Sequence, residues 1–163
     1  VEESPNKHAL RARLCKELVG TLKMVTEPCH STVASLPELY NSAMMAGDVE
    51  NAMICKMAFC VGSIWAGTSN LVSVSKHFTR CIKESVKYHQ NTVLYSTMAV
   101  FNTLLYLSGT TNGDVDVKSY DELDEIGERT HSAFLIFQSF MCRMSNHFWM
   151  REYMDVAKLS EKY

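Results

Sequence analysis

The chain has 163 residues, of which 47% are hydrophobic and 21% are charged, and a chain of this length can bury the core of one domain. Its formal net charge of −2 gives no reason to expect nucleic acid or an anionic membrane as a partner. The 3 Pro and 7 Gly residues separate long periodic stretches, so the composition favours helices.

The first two predicted helices cover about 7–25 and 28–46. In the first, apolar residues recur at the three-and-four spacing of one helical face: Leu10, Leu14, Leu18, Val19, Leu22 and Val25. Pro28 ends this helix, because the residue before a proline disfavours the helical region, and it suits the first turn of the second helix. Pro37 lies inside the second helix, so a kink there or a later start near Ser35 is also consistent with the sequence.

A Gly-Asp pair separates the second helix from a third, predicted over about 49–65. Gly47 accepts the left-handed conformation that closes a helix. The Asp48 carboxylate can accept hydrogen bonds from the first amides of the next helix and interacts favourably with its positive end. The third helix is apolar nearly all round, and such a helix needs neighbours on more than one side.

Two further helices are predicted over about 70–88 and 92–107. The break before the first of them is the segment 66–69, which reads Ala-Gly-Thr-Ser. The helix at 70–88 has the clearest apolar stripe, formed by Leu71, Val74, Phe78, Cys81, Ile82, Ser85 and Val86. Basic residues dominate its other face, and the helix at 92–107 is mostly apolar.

An acidic surface loop is predicted over about 108–119, where the sequence turns to Gly, Thr, Asn and Asp. Ser119 and Glu122 match a capping box. The acidic residues from 114 to 128 indicate either a solvated loop and helix start or a face for a basic partner. A helix resumes near Glu128, and the last covers about 150–163.

Long helices joined by short breaks must be antiparallel neighbours, and no segment shows the two-residue alternation of a strand. The sequence therefore predicts an all-α fold forming a single domain over 1–163. Because the chain begins with Val1 rather than Met, we expect it to be an excised segment of a larger protein.

The residues around the Gly-Asp break resemble the helix-turn-helix core of a tetratricopeptide repeat. Tyr40, Ala43, Gly47, Asp48 and Ala52 occupy the positions of this structural repeat turn. The small residues Ala43 and Ala52 would let the two helices pack closely. Near the C-terminus, Ala157 repeats the context of Ala52, and the interval between them (157 − 52 = 105) is close to three periods of about 34.

A more specific resemblance rests on the order LPELYNSAMMAGDVENAM, FCVGSIWAG, a basic amphipathic helix, FNTLLYLSG and FWMREYMDVAKLSEKY. This order is similar to the tetratricopeptide-like helical segment of very large signalling proteins. Those proteins join a kinase-like or predicted AAA-type ATPase region to the segment, often followed by sensor or histidine-kinase domains. The resemblance implies antiparallel helix pairs stacked as a right-handed α-superhelix. It also implies a scaffold without catalytic residues that contacts a protein partner or neighbouring domains of its own chain.

The 6 Cys residues include no Cys-x-x-Cys pair, and most fall at apolar helical positions. They are therefore predicted to be buried thiols, as expected in the reducing cytoplasm. Most of the methionines, including Met45 and Met141, are likewise predicted to pack in the core. The two long uncharged runs, 57–75 and 88–113, are interrupted by glycines and polar residues, and they predict buried helices rather than membrane spans.

No motif for a phosphate-binding loop, a serine nucleophile or a zinc helix occurs, so the segment is not expected to be an enzyme and no cofactor is predicted. The alternative is a compact helical bundle that binds a small ligand or a metal. His77 and Cys81, four positions apart on one helical face, are its metal candidates, although two ligands without a third do not make a site. Cys29 and His30 at a helix start are further candidates.

Overall fold

The computed structural model describes residues 26–67, 69–109 and 115–162. Within these ranges it contains seven helices and no strand, which confirms the all-α prediction for this part of the chain. The helices are α1 (Cys29–Met45), α2 (Val49–Ala66), α3 (Leu71–Lys87), α4 (Asn91–Ser108), α5 (Tyr120–Arg129), α6 (Ala133–Trp149) and α7 (Tyr153–Lys162). The predicted helix over 7–25 and the loop residues 110–114 lie outside the described residues. No helix in the described ranges is both long and apolar enough to cross a membrane.

The chain divides between Val93 and Leu94 into two compact units. In the first unit α1 packs on α2, and α2 packs on α3. The contacts between α1 and α2 run from Ala43 against Ala52 next to the turn to Val33 against Gly62 at the far end. This order shows that the two helices are antiparallel.

Gly62 determines how closely α2 approaches α1. A Cβ atom at this position would lie 2.5 Å from Cγ2 of Val33, a distance that real side chains do not tolerate. Both residues are buried. The absence of a side chain at Gly62 therefore permits the close packing of the pair.

In the second unit α5 packs on α6, and α6 packs on α7. Here Gly127 has the same function as Gly62, because a Cβ atom on it would lie 2.6 Å from Cγ1 of Ile136. The part of α4 that belongs to this unit is tied to the other helices by side chains. The hydroxyl groups of Thr103 and Tyr120 are 3.0 Å apart, and Gln138 Nε2 donates a hydrogen bond of 3.4 Å to the backbone carbonyl of Ser96.

Every described residue with positive φ follows the end of a helix: Gly47, Gly67, His89, Gly109, His131 and Arg151. Each position in this series lies the same number of residues before the next but one (89 − 47 = 42, 131 − 89 = 42). The turns therefore recur at a fixed period of two helices. The period is longer than the repeat of about 34 predicted from the sequence, and it lies in the range of about 40–47 found in other α-helical repeats.

The loop after α4 keeps this period. α5 has 10 residues, whereas α1 has 17 residues and α4 has 18 residues. The interval from Gly109 to His131 nevertheless equals that from Gly67 to His89 (131 − 109 = 89 − 67), because α5 begins late and is correspondingly short. A loop inserted between two full-length helices would have lengthened the interval.

Three predictions about elements need correction. The helix predicted to resume near Glu128 begins only at Ala133, because the preceding helix α5 continues to Arg129. The helix α1 continues through Pro37 from its start at Cys29, so the later start near Ser35 is not adopted. Met45 and Met141 are not core residues, because their exposed fractions are 76% and 42%.

Candidate functional site

The turn around Gly47 ends α1 and leads directly into α2, and hydrogen bonds satisfy the ends of both helices. The amide of Gly47 donates to the carbonyl of Met44 (3.1 Å), and the amide of Asp48 donates to that of Ala43 (2.9 Å). This is the Schellman arrangement, which needs the φ of +73° that Gly47 adopts. Asp48 is also the N-cap of α2, and its Oδ1 accepts a hydrogen bond from the amide of Asn51 (3.3 Å).

Ala43 and Ala52 are fully buried and pack on each other next to this turn. Tyr40 packs against this pair, so the structure brings together all five residues assigned to the repeat turn, in a structural rather than a chemical arrangement. Ala157, the predicted counterpart of Ala52, is exposed. The interval between these two alanines equals two and a half of the observed helix-pair periods (105 = 2.5 × 42), so Ala157 lies half a period out of register.

Tyr40, the fifth residue, links α1 to both α2 and α3. Its hydroxyl group donates a hydrogen bond of 3.1 Å to Oε2 of Glu84 on α3. Lys56 on α2 forms an ion pair with the same carboxylate, and its Nζ lies 5.0 Å from the centre of the Tyr40 ring. Burial, followed by the negative charge of Glu84, raises the pKa of Tyr40 to about 12.

His77 and Cys81, the metal candidates from the sequence, occupy the packed interface between α2 and α3. The ring of His77 contacts Phe59 edge to face at 5.2 Å between centroids, and burial, followed by the charges of Arg80 and Lys56, lowers its pKa. Cys81 is fully buried. It shares a hydrogen bond with Cys60 that, together with burial, raises the pKa of the Cys60 thiol.

Neither residue belongs to a group of three possible metal ligands among the residues described. Cys29 and His30 begin α1, where His30 is exposed, and within the described ranges they also join no such group. The described cysteines are in the thiol form. The structure therefore places all four candidates in helix packing or at a helix start.

A pocket of about 330 Å³ lies in the second unit, and we call it the α5–α6 pocket. Its lining residues are Tyr106, Ser119, Tyr120, Asp121, Arg143, Asn146 and His147. Asn146 is 3% exposed. Its Nδ2 donates a hydrogen bond of 3.0 Å to the Tyr120 hydroxyl group, whereas its Oδ1 accepts none from the described residues.

Ion pairs hold one side of this pocket. Arg143 forms ion pairs of 3.1 Å and 3.0 Å with Asp121 and Asp124. Its guanidinium carbon lies 5.4 Å from the centre of the Tyr120 ring. Burial raises the pKa of Tyr120, so this phenol stays protonated and can donate or accept hydrogen bonds at neutral pH.

The other side of the pocket adjoins three possible metal ligands, His147, Glu152 and Asp155. One ligand atom from each lies within 4.8 Å of the others, and His147 Nδ1 is 2.6 Å from Glu152 Oε2. The Tyr106 hydroxyl group donates to the same Glu152 carboxylate at 3.4 Å. A hydrogen bond from Lys158 lowers the pKa of Asp155, so the Asp155 carboxylate is ionised at neutral pH.

A second feature of this unit is the apolar surface of α6. Phe134, Phe137, Met141 and Phe148 have exposed fractions between 42% and 60%. Phe134, Met141 and Phe148 follow one another at intervals of about two helical turns and therefore lie on one face. We call these four residues the α6 apolar face.

Sequence reasoning missed both features of the second unit. The apolar spacing of α6 is visible in the sequence. It predicts that other helices cover an apolar face of α6, but it does not show which apolar residues stay exposed. His147, Glu152 and Asp155 match no zinc-helix pattern because a turn separates the histidine from the carboxylates.

Comparison with protein-family models, with curated proteins and with solved structures finds no match to this chain.

Proposed function

We propose that the chain is a non-catalytic protein-interaction module that couples neighbouring domains or a protein partner. The observation that carries the proposal is the α6 apolar face. Large exposed apolar side chains that share one helix face often mark a site of association. Aromatic residues and methionine are also the residue types enriched at the centres of interfaces.

The regular helix spacing supports the same proposal. Helix pairs that recur at a fixed period bury their apolar faces by stacking on one another, and such arrays present extended surfaces to partners. In this proposal the pairs stack as a right-handed superhelix of the tetratricopeptide-like kind, with longer helices than those of the tetratricopeptide repeat. The packing of α2 on α3 and of α6 on α7, which joins one pair to the next, is consistent with stacked pairs.

The resemblance to the helical segment of very large signalling proteins supports a parent protein that is cytoplasmic and carries an ATPase or sensor-kinase region. There the module would transmit a conformational state or hold a partner. The chemistry of the described residues supports binding more readily than catalysis. His77 is packed against an aromatic ring, and Arg143 is held between two carboxylates.

The proposal is tested by capturing binding partners on the chain and identifying them by crosslinking and mass spectrometry. The triple variant Phe134→Ser/Phe137→Ser/Phe148→Ser is compared with wild type. We expect a loss of captured partner of about tenfold or more, because buried aromatic residues contribute most of the free energy at an interface.

The matched control is Lys76→Ser/Lys83→Ser/Lys87→Ser, which changes three exposed side chains on α3. It should leave capture within about twofold, as expected for charges outside an interface core. Equal capture by wild type and the aromatic triple variant would contradict the proposed surface.

A further inference from the structure

We propose that His147, Glu152 and Asp155 bind a divalent transition-metal ion of the Zn²⁺ type at the edge of the α5–α6 pocket. This inference does not depend on the proposed interaction function. One imidazole nitrogen and two carboxylates form a donor set that suits Zn²⁺, and three protein ligands leave the fourth tetrahedral position for water. Ca²⁺ and Mg²⁺ prefer sites made of oxygen ligands alone.

The distances require only small side-chain movements. Ligand atoms around a tetrahedral Zn²⁺ lie about 3.4 Å apart, given metal–ligand distances of about 2.0–2.2 Å. His147 Nδ1 and Glu152 Oε2 are 2.6 Å apart, and no ligand atom of the group is more than 4.8 Å from another. Each pair therefore needs a change of no more than about 1.4 Å to reach the tetrahedral spacing, which side-chain rotation can supply.

The backbone holds the three ligands in a fixed frame. The carbonyl of His147 accepts a hydrogen bond from the amide of Glu152 at 2.8 Å, and the carbonyl of Glu152 accepts one from the amide of Asp155 at 3.0 Å. Arg151 between them adopts a φ of +62°. One turn between α6 and α7 therefore positions the whole donor set, and all of it lies within the second unit.

A separate observation points to a ligand in the adjoining pocket. Asn146 is buried in the pocket wall next to His147, yet its Oδ1 accepts no hydrogen bond from the described residues. A buried acceptor of this kind is costly unless a donor reaches it. An unsatisfied acceptor therefore lies on the residue next to His147 in the pocket wall.

Charge also favours a cation. Glu152 and Asp155 contribute two carboxylates, and the Nζ of Lys158 lies 3.0 Å from Asp155 Oδ1. The side chain of Lys158 is 72% exposed, so it can turn away into solvent when an ion binds. On the opposite side of the pocket Arg143 is neutralised by two aspartates of α5.

The test uses the full chain, stripped with a chelator and titrated with ZnCl₂ by calorimetry, with MgCl₂ as a parallel titration. We expect one Zn²⁺ per chain and no saturable Mg²⁺ binding at the same concentrations. Titration with Co²⁺ should give the visible absorption bands of a tetrahedral site. No Zn²⁺ binding by the wild-type chain would overturn the proposal.

Variants locate the ion. His147→Ala and Glu152→Gln should each weaken Zn²⁺ binding by about tenfold or more, whereas Glu161→Gln, which changes an exposed carboxylate on α7, should bind as wild type. The frame of the turn is made by backbone atoms, so these variants keep it, and circular dichroism checks their helicity. Unchanged binding in His147→Ala and Glu152→Gln would place the ion elsewhere and overturn the assignment. If His147→Ala loses helicity, the Zn²⁺ binding of Glu152→Gln and Asp155→Asn tests the assignment instead.

Discussion

Small side chains determine how the first helix pair packs. Ala43 and Ala52 meet beside the turn with no solvent exposure, and Gly62 leaves no room for a methyl group against Val33. Small residues at these positions therefore determine how closely α1 and α2 approach. Larger side chains would force the backbones apart, since packed interiors do not expand without cost.

Ala52→Leu should lower the free energy of unfolding by about 1–3 kcal/mol, because the added carbons overpack a buried site. Chemical denaturation measures the change. Ala157→Leu is the matched control, since Ala157 lies on an exposed part of α7 and should change stability by less than about 0.5 kcal/mol. Similar results for the two variants would show that Ala52 does not lie in a close helix contact.

Tyr40 gives the first unit a pH dependence in the alkaline range. Its pKa is raised from 10.0 to about 12 in the folded chain. Above pH 10 the unfolded chain loses this proton while the folded chain keeps it, so the unfolded state binds fewer protons and stability falls from pH 10 to 12. Below pH 10 both states are protonated and the full contribution is present.

Tyr40→Phe should therefore reduce the slope of unfolding free energy against pH between pH 10 and 12, even though the variant is less stable overall. Denaturant titrations at several pH values measure the slope. Tyr153→Phe removes an exposed phenol and should leave the slope close to that of wild type. An unchanged slope in Tyr40→Phe would indicate that the phenol ionises equally in both states.

The ends of the helices share one geometry that different residues adopt. The turns after α1, α3, α5 and α6 all use a left-handed residue and the paired hydrogen bonds of the Schellman arrangement. Gly47 occupies this position after α1, but His131 occupies it after α5 with a φ of +53°. Residues with a Cβ atom are strained there by about 1–2 kcal/mol.

His131→Gly should therefore stabilise the chain by about 0.5–1 kcal/mol, the relief of strain being partly offset by the greater freedom of glycine in the unfolded chain. Gly47→Ala at the equivalent position should destabilise by a similar amount. No atom lies within 4 Å of a Cβ built there, so its effect comes from the backbone alone. Thermal unfolding of both variants gives the comparison, and effects of the same sign would contradict this explanation.

The turn at His131 also shows where sequence reasoning fails. The breaks at Gly47 and Gly67 are predictable because glycine followed by a capping residue is a strong local signal. The capping box of Ser119 and Glu122 is predictable for the same reason, and the structure confirms it. The break between α5 and α6 carries no glycine, so the sequence places the start of the second helix near Glu128, whereas α6 begins at Ala133.

Three cysteines report on the integrity of the first unit as a whole. Cys55, Cys60 and Cys81 are buried, whereas Cys29 and Cys142 are partly exposed. Burial also raises the pKa of Cys142 to about 11, which reduces its reactive thiolate fraction at neutral pH. The three buried thiols become accessible only when the helices around them separate.

A thiol reagent at mildly alkaline pH should therefore modify Cys55, Cys60 and Cys81 at a rate that rises with denaturant as the unfolded population rises. Mass spectrometry identifies the modified residues over time. Cys29→Ser should remove a fast phase and leave the slow phase unchanged. Rapid modification of the three buried thiols without denaturant would contradict the packing of α1 to α3.

Local sequence is sufficient to establish the helical class, the breaks at Gly47 and Gly67, and the caps at Asp48 and Ser119, because these depend on residues within one or two turns of each other. Tertiary packing determines which face of α6 stays exposed. It also brings His147 of α6 close to two carboxylates of the next turn. The same holds for a helix-pair period longer than that of a tetratricopeptide repeat. These features depend on which helices meet and on turns formed by residues with no strong local preference. A pattern of apolar spacing shows that a helix has a face to cover, but only packing shows what covers it.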